Sequence, residues 1–520
     1  MYNIYCMLKS ISRFFKLFFS RLFIVGIIII FQVYIFVAIN FWLNESFYWV
    51  PYFFTTIAVI MFFYVLNKDK PASFKLPWTV LLLLIPLVGI AVYILFGNYN
   101  LTRKDRKKMQ KESKELIRFC KRNDETMQVL KDSNIQAYGQ AQYIENTCLM
   151  PTYENCNVKF LSSGENFYLK LLEELKTAEK YIFMEYFIIE KGKMWNSILE
   201  VLEEKVKQGV EVCFMYDDVG CISKVKKDYY LELRDKGIQA CKFNPFKPVI
   251  SVMHNNRDHR KITVIDGVKG FVSGANLADE YINETHPYGL WYDNAVFLEG
   301  KCIDSLVLMF IRMYNPNSVK KLNAKDYLVE HKKFNTKGFV APYCDGPCPI
   351  YNDYIGQNVY LNLINQAKKY LYITTPYLIV DYEFIEAIIN AKKRGVDVIL
   401  ITPNIPDKKI INIMTKSNYG KLIENGVKIY EYKDGFIHSK MIVCDDELAS
   451  IGTINLDYRS FVHHFECGVW MYNCKDILQM KKTFLAIIKD NSVKINNNNS
   501  KLKFYQKLIR NILRLLAPLM

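Results

Sequence analysis

Two segments of this 520-residue chain repeat one pattern, in which a histidine is followed two positions later by a lysine and seven positions later by an aspartate. The first copy is His259, Lys261 and Asp266, and the second, 179 residues further on, is His438, Lys440 and Asp445. A polar segment follows each copy at matching distance, at 273–276 and 452–455. One copy alone would be weak support, because strands ending in an aspartate turn are common. Two copies with matching tails predict two similar halves.

The spacing within each copy indicates a chemistry. Residues i and i+2 of an extended strand point to the same face, so each histidine lies beside its lysine. Brought together, the halves place two imidazoles face to face, surrounded by two ammonium groups and the amides of Asn276 and Asn455. This set suits displacement at a phosphodiester, because one imidazole attacks phosphorus, the other protonates the leaving oxygen, and the cations and amides hold the non-bridging oxygens.

The motifs and their neighbours resemble the bacterial cardiolipin synthases of the phospholipase D superfamily. The matching segments are 256–261 and 279–281 in the first half, 375–377, and 435–445, 451–461 and 465–466 in the second half. The resemblance runs from about the second hydrophobic segment to the last residue. It implies two phospholipase D-type α/β halves that form a pseudo-twofold site.

The resemblance also implies roles for these residues. His259 becomes the nucleophile that forms a phosphohistidine, and His438 becomes the acid that protonates the departing alcohol. Sequence symmetry alone does not separate these two roles. The expected phosphate ligands are Lys261, Lys440, Asn276 and Asn455, with Thr453 in support. Asp266 and Asp445, the last members of the catalytic motifs, are expected to brace the site rather than touch substrate.

A nucleophilic imidazole needs a partner on its other nitrogen to fix the tautomer. Glu466, 28 residues beyond His438, matches the family position that provides this partner, and Asp293 is the counterpart in the first half. The chain departs from the family pattern at Tyr292, where arginine is usual, and at Ser273, where glycine is usual. Neither change removes a proton carrier, so we expect activity to be retained.

No cofactor and no metal are predicted. Cys344 and Cys348 have a spacing that occurs in zinc sites, but no second pair or histidine cluster accompanies them, and Pro347 favours a turn. No P-loop or dinucleotide fingerprint is present. Chemistry that takes its energy from the exchanged phosphodiester needs neither.

Charge and hydropathy together indicate a membrane. The formal net charge of +16 favours an anionic partner, either nucleic acid or an anionic bilayer. Three apolar segments, at 22–42, 48–66 and 76–96, favour the bilayer. We therefore predict a multi-pass protein of the cell membrane with two to three N-terminal transmembrane helices, with anionic lipids and not nucleic acid as partners.

The basic residues give conflicting signals for the topology. Lys and Arg at positions 9, 13, 16 and 21 favour a cytoplasmic N-terminus, which with three spans would place the catalytic part outside. Seven further Lys and Arg between 103 and 114 favour a cytoplasmic position directly after the third segment. Either one segment is re-entrant or interfacial, or the N-terminus lies outside. Thirteen cysteines fit a reducing compartment, so a cytoplasmic catalytic face is favoured.

Internal similarity sets the domain boundaries. Residues 178–189 parallel 367–378, and residues 207–215 parallel 393–401, so each half alternates strands and helices as in mixed α/β sheets. The predicted domains are a membrane-anchoring region at 1–100, two phospholipase D-type domains at 101–325 and 326–490, and an Asn-rich linker with a basic amphipathic tail at 491–520. The tail helix either lies in the headgroup layer or packs on the core, and the family's C-terminus favours the membrane.

The resemblance implies a membrane-bound phosphatidyltransferase that converts two phosphatidylglycerols into cardiolipin and glycerol. Three alternatives remain open: a related phosphatidyltransferase or phospholipase D that uses another alcohol or water, a nuclease of the same superfamily, and a non-catalytic lipid-binding scaffold. Three apolar segments are superfluous for a nuclease, and the intact double motif argues against a scaffold. No oligomeric state is predicted.

Overall fold

The structure, a computed structural model, describes residues 34, 38, 49–97, 103–246, 255–496 and 504–519. The helices in these segments are α1 (Val50–Leu66), α2 (Ala72–Leu84), α3 (Pro86–Phe96), α4 (Arg103–Leu116), α5 (Asp124–Ser133), α6 (Ile135–Cys148), α7 (Gly164–Leu175), α8 (Lys193–Lys207), α9 (Tyr229–Asp235), α10 (Ile303–Asn317), α11 (Ile355–Gln366), α12 (Tyr382–Lys393), α13 (Lys409–Ser417), α14 (Tyr419–Glu424), α15 (Asp476–Asn491) and α16 (Phe504–Leu516).

The strands follow the same numbering along the chain. They are β1 (Tyr153–Glu154), β2 (Asn157–Leu161), β3 (Tyr181–Tyr186), β4 (Glu211–Asp217), β5 (Gln239–Phe243), β6 (Ile262–Ile265), β7 (Lys269–Ser273), β8 (Leu290–Tyr292), β9 (Ala295–Glu299), β10 (Phe339–Asp345), β11 (Tyr370–Thr374), β12 (Leu378–Ile379), β13 (Asp397–Pro403), β14 (Lys428–Tyr432), β15 (Gly435–Ile437), β16 (Met441–Cys444), β17 (Leu448–Gly452), β18 (Leu456–Asp457), β19 (Glu466–Tyr472) and β20 (Ser492–Ile495).

Two large sheets form the core, and they share one strand order. The first sheet runs β2-β9-β7-β6-β3-β4-β5, and the second runs β1-β10-β19-β17-β16-β11-β13-β14-β20. Without the outermost strands β1 and β20, the second order matches the first strand for strand. In the first sheet β3 pairs in parallel with β4 and antiparallel with the motif strand β6. In the second sheet β11 pairs in parallel with β13 and antiparallel with the motif strand β16. This confirms the predicted mixed α/β fold with two similar halves.

The burial of each element explains its position. Strands β3 and β11 are buried along their whole length, as expected for central strands covered on both faces. Helix α8 buries an apolar stripe against the first sheet and leaves a polar face exposed. Helix α10 is buried almost throughout, because it packs against β3 and β6 of the first sheet and β10 of the second. The two sheets therefore share one central helix.

Short parallel pairings join the two halves next to the motifs. Strand β15 pairs with β8 in parallel, which places Ile437 opposite Tyr292. On the other side an isolated parallel bridge places Asp258 opposite Phe465. In each case the residue before a motif histidine lies opposite the residue before an acid of the other half. Both motifs are thereby fixed at the interface between the halves.

The predicted domain boundaries differ from the sheet boundaries. Strand β1, in the segment assigned to the first domain, pairs with β10 of the second sheet. Residues 492–495, predicted as part of the linker, form β20 and pair antiparallel with β14. The second half therefore extends beyond residue 490, and that predicted boundary is wrong by one strand.

The N-terminal segments also differ from the prediction. Apart from residues 34 and 38, the first predicted span lies outside the described residues. The second corresponds to α1, whereas the third is divided at Ile85 into α2 and α3, with Pro86 as the first residue of α3. Within the described part of the chain, no helix is both long and apolar enough to cross a bilayer.

The C-terminal tail packs on the folded protein. Helix α16 contacts α13 and α2, and the turn Ala517–Leu519 contacts α2. Ala517 is buried beside Ile379 and Met414, and the carbonyl of Pro518 lies 3.3 Å from Nε2 of His463. Of the two alternatives for the tail, the structure shows packing on the core, although the family resemblance favoured the headgroup layer.

The pairing of β15 with β8 depends on the absence of a side chain at Gly435. A Cβ there would lie 2.0 Å from the carbonyl oxygen of Leu290. We expect Gly435→Val to separate the two strands, displace His438 and lower the free energy of unfolding by about 1–3 kcal/mol. Thermal unfolding of the purified protein in detergent, together with lipid transfer activity, measures both effects.

Gly420 provides the matched control. It lies in α14, and a Cβ there meets no atom within 4 Å. Because alanine is the better helix former, Gly420→Ala should raise stability by up to about 1 kcal/mol and leave activity unchanged. If Gly435→Val were as stable and active as this control, the cross-half pairing would not hold the motif.

Candidate active site

His259 is held by the second half of the molecule. Its backbone N–H donates to the carbonyl of Phe465 at 2.9 Å. Its Nδ1 lies 3.0 Å from both carboxylate oxygens of Glu466, a fully buried residue that begins β19. An acid from one half therefore orients the imidazole of the other.

His438 repeats this arrangement in the opposite direction. Its backbone N–H donates to the carbonyl of Tyr292 at 2.7 Å, and its Nδ1 lies 2.6 Å from Oδ2 of Asp293, which is also fully buried. Sequence reasoning placed one acid in each half but did not show that the halves exchange them. No local pattern carries this information, because it follows from pairings of only one to three residues.

The exchanged contacts define which nitrogen of each ring can react. A carboxylate accepts only, so each Nδ1 carries the proton and donates it to Glu466 or Asp293. In each ring Nε2 then has the lone pair. Two imidazoles prepared in this way can serve one as nucleophile and the other as proton carrier.

The two motif lysines are buried beside the histidines. Nζ of Lys261 donates to the carbonyl of His259 at 2.6 Å, and Nζ of Lys440 donates to the carbonyl of His438. Burial lowers the pKa of Lys261 to about 8 and that of Lys440 to about 7. Each ammonium group has three donors, so donors remain for an anion, and a bound anion would restore the full charge.

The two asparagines expected to bind phosphate differ in their hydrogen bonding. Oδ1 of Asn276 accepts from the backbone N–H of Ile188 at 3.0 Å, and its Nδ2 donates to the hydroxyl of Tyr281 at 2.6 Å. Oδ1 of Asn455 is buried without a hydrogen-bond partner among the described residues. Tyr281 matched the family pattern but was assigned no role, and its ring lies 5.7 Å from that of His438.

The side chain of Thr453 contacts the carboxylate of Glu466. Its hydroxyl donates to Oε2 of Glu466 and accepts from the backbone N–H of Cys467 at 3.0 Å. Gly274 occupies the matching position in the first half, where a Cβ would lie 2.1 Å from Oδ1 of Asp293. The hydroxyl of Thr453 supports the carboxylate that holds His259, and the expected support of the phosphate ligands stays a prediction.

The motif aspartates bind backbone rather than the site. The carboxylate of Asp266 accepts from the N–H groups of three consecutive residues, 179–181, at 2.7–2.9 Å. The carboxylate of Asp445 accepts from those of residues 368–370 over the same range. Both aspartates have positive φ, at 52° and 59°. They fix the chain at the start of β3 and β11, the strands next to the motif strands.

His464, which the two motifs do not include, also belongs to the site. Its ring centroid lies 5.3 Å from that of His259, and its Nδ1 lies 3.6 Å from Oε1 of Glu466. On the other side Phe187 lies 5.0 Å from the His259 ring. The available signal was that residues 464 and 466 are two positions apart, which in a strand places them on one face.

Burial among cations keeps the histidines neutral. Burial lowers the pKa of His438 to about 4, with Lys440 adding to the effect and Asp293 opposing it. Burial, Lys261 and Lys440 together lower the pKa of His259 well below its usual value. Burial alone would raise the pKa of Asp293, but His438 and Lys440 hold it below its usual value. An anion bound between the lysines would favour protonation of a histidine.

The same charges disfavour a metal ion. Among the described residues, one group has donor atoms within 4.8 Å of one another, and it consists of His259, His464 and Glu466. A cation there would break the hydrogen bond between His259 and Glu466 and would lie near two lysines. Of the two cysteines weighed as zinc ligands, Cys344 is buried with its thiol 3.0 Å from Tyr351 Oη, and Cys348 is exposed.

Removing a motif aspartate should affect stability directly. In Asp445→Ala three backbone N–H groups lose their acceptor, so the free energy of unfolding should fall by about 3 kcal/mol or more. Asp445→Asn should lose less, because its amide oxygen still accepts. Urea unfolding in detergent measures the difference, with the exposed Asp490→Ala as control. A stability of Asp445→Ala equal to that control would contradict the bracing role.

Acid should destabilise the protein through its buried histidines. Burial lowers the pKa of His464 to about 3, so between pH 6.5 and 3 the unfolded chain binds a proton that the folded site does not. Stability is therefore lost as pH falls through this window, by up to about 1.4 kcal/mol per pH unit for one group. Unfolding free energies from pH 7 to 4.5 should fall less steeply for His464→Asn. The exposed His286→Asn should follow the wild type, and equal slopes for all three proteins would refute the assignment.

Comparison with known proteins agrees with this geometry. A family model described as cardiolipin synthase, PLD-like domain, matches residues 171–302 and 360–488, and one described as phospholipase D-nuclease N-terminal matches residues 56–98. The fold is shared with the crystal structure of phosphatidylserine synthase from Haemophilus influenzae, with a TM-score of 0.56 and 18% identity, over 73% of this chain and 97% of that chain.

Sequence relatives extend along most of the chain. An uncharacterized protein of Streptococcus mutans is 38% identical over 459 residues, which cover 88% of this chain and 99% of that protein. A cardiolipin synthase of Alkalihalophilus pseudofirmus is 32% identical over 473 residues, 89% of this chain and 92% of that enzyme. These matches confirm the resemblance inferred from the two motifs, and the chain belongs to the cardiolipin synthase family of the phospholipase D superfamily.

Proposed function

We propose that this protein transfers a phosphatidyl group from one phosphatidylglycerol to another, forming cardiolipin and releasing glycerol. The observation that carries the proposal is the crossed pair of histidine–carboxylate contacts. They leave two Nε2 atoms for chemistry, next to two buried lysines that can hold an anion. The family membership supplies the substrate class.

In the first step, Nε2 of His259 attacks the phosphorus of the donor lipid. The bond from phosphorus to the glycerol oxygen breaks, and His438, which takes up a proton at Nε2 when the anionic lipid binds between the lysines, gives that proton to the oxygen. Lys261 and Lys440 stabilise the charge on the non-bridging oxygens, with Asn455 as a further donor. Glu466 stabilises the positive charge that develops on His259 as the phosphohistidine forms.

In the second step, a hydroxyl of the acceptor lipid attacks the phosphohistidine. His438, now neutral, takes the hydroxyl proton, the bond between phosphorus and Nε2 breaks, and both histidines return to their initial state. Water in place of the acceptor would yield phosphatidic acid. Exclusion of water from the buried site therefore favours transfer over hydrolysis.

Membrane attachment through the N-terminal helices is part of the proposal. Helix α1 exposes Tyr52 and Ile60, and α2 and α3 expose Leu84 and Ile94, each by 64% or more. Such contiguous apolar surface is typical of a membrane or protein interface. We place these helices in the bilayer, in agreement with the three apolar segments of the sequence, and the catalytic halves on the cytoplasmic side.

Lipid analysis of a cardiolipin-free bacterial host tests the function. Expression of the wild-type chain should produce cardiolipin, measured by mass spectrometry. His259→Ala and His438→Ala should each lower the rate by about 10³-fold or more while remaining in the membrane fraction, because the two-step mechanism needs both groups. The exposed His286→Ala controls for loss of a histidine. A purified motif variant with more than about a tenth of wild-type transfer would contradict the mechanism.

A further inference from the structure

A small cavity of about 70 Å³ is lined by residues of α13, of the segment 457–459 and of the C-terminal tail. Apolar and aromatic side chains form most of its wall: Tyr377, Ile379, Ile411, Met414, Tyr458 and Ala517. Its charged residues are Lys408, Asp457 and Arg459. The cavity thus combines an apolar wall with two cations and one carboxylate.

Ring contacts connect this cavity to the reacting groups. The ring of Tyr377 lies 6.3 Å from that of Phe436, which lies 5.9 Å from the ring of His438. On the other side, burial is the main reason for the lowered pKa of His259, and Lys408 is among the cations that add to it. The positive charge of Lys408 therefore contributes to lowering the pKa of His259.

The opposite side of the cavity faces the apolar helices. Tyr458 packs against Phe74 of α2, with ring centroids 5.5 Å apart. Ala517 belongs to the tail turn that contacts α2, and α16 contacts both α13 and α2. The cavity therefore lies between the histidines and the helices that we place in the membrane.

Neither cation is tightly neutralised by protein. The side chain of Lys408 is 68% exposed, and its closest carboxylate is Asp407 at 3.9 Å, which accepts a hydrogen bond from Tyr377 Oη. Arg459 is exposed and makes no close ion pair in the part of the chain that the structure describes, and Asp457 of the same cavity wall attracts it. Asp457 accepts from the backbone N–H of Ser460 at 2.8 Å. Both cations can thus accept an anionic ligand.

The reaction itself requires a second anion site. Cardiolipin contains two phosphodiesters joined by one glycerol, so during the second step the acceptor phosphodiester lies within a three-carbon bridge of the phosphorus on His259. Two anions at this distance repel each other, and the repulsion is stronger in a partly desolvated site. Lys261 and Lys440 serve the first phosphorus, so the second phosphodiester needs cations of its own.

We propose that Lys408 and Arg459 bind the phosphodiester of the acceptor phosphatidylglycerol, and that its acyl chains pass along the apolar wall toward α2 and the tail. This rests on the proposed function. The terminal hydroxyl of the acceptor then reaches the phosphorus held on His259. Its oxygen forms the new bond to phosphorus, its proton passes to His438, and the bond from phosphorus to Nε2 breaks.

Measuring the two half-reactions separately distinguishes a defect in the acceptor site from a defect in the donor site. Exchange of labelled glycerol into phosphatidylglycerol requires the first step and its reversal but no acceptor lipid. Lys408→Gln and Arg459→Gln should each slow cardiolipin formation by about tenfold or more, because a charge-assisted contact to phosphate is lost. Glycerol exchange should fall far less, and phosphatidic acid should increase as water replaces the acceptor.

Two matched variants control this experiment. Lys409→Gln removes the same charge one position away, outside the cavity wall, and should behave as the wild type. Arg459→Lys should recover part of the activity lost in Arg459→Gln. Equal losses of cardiolipin formation and exchange, or no loss of either, would overturn the acceptor site. A wild-type protein without exchange and without cardiolipin formation would instead contradict the proposed function.

Discussion

The site depends on the exchange of carboxylates between the two halves. Glu466 of the second half holds His259, and Asp293 of the first half holds His438. The exchange follows from the cross-half pairings beside each motif, which place the residue before a histidine opposite the residue before an acid. Neither half alone contains an oriented imidazole. The catalytic histidines are therefore oriented only when the two halves pack together.

The charges of the site favour the protonation state needed for reaction only when an anionic substrate is bound. Burial lowers the pKa values of Lys261 and Lys440, with Lys261 adding to the effect at Lys440, and the histidines beside them are kept neutral. An anionic phosphodiester relieves this repulsion and favours the protonated acid that the first step needs. Anionic lipids supply that charge, and the proposed acceptor cations Lys408 and Arg459 suit a reaction that joins two anions.

Much of this arrangement could be predicted from the sequence, because repeated local patterns indicate it. The duplicated motif predicted the two halves, and the family resemblance identified both acids. Other features depend on contacts between distant segments that no local pattern records. The exchange of the acids, the contact of Thr453 with Glu466, the place of His464 and the packing of the tail on α2 and α13 are of this kind. The division of the third apolar segment at Ile85 was signalled by Pro86, which membrane helices also tolerate.

Double-mutant cycles on stability test the exchange most directly. His259→Ala and His438→Ala would each be combined with Glu466→Gln and with Asp293→Asn, and the free energies of unfolding measured in urea. The crossed arrangement predicts coupling of about 1 kcal/mol or more for the pairs His259–Glu466 and His438–Asp293, and near additivity for the other two pairs. Coupling of each histidine to the acid of its own half, with additivity across halves, would contradict it.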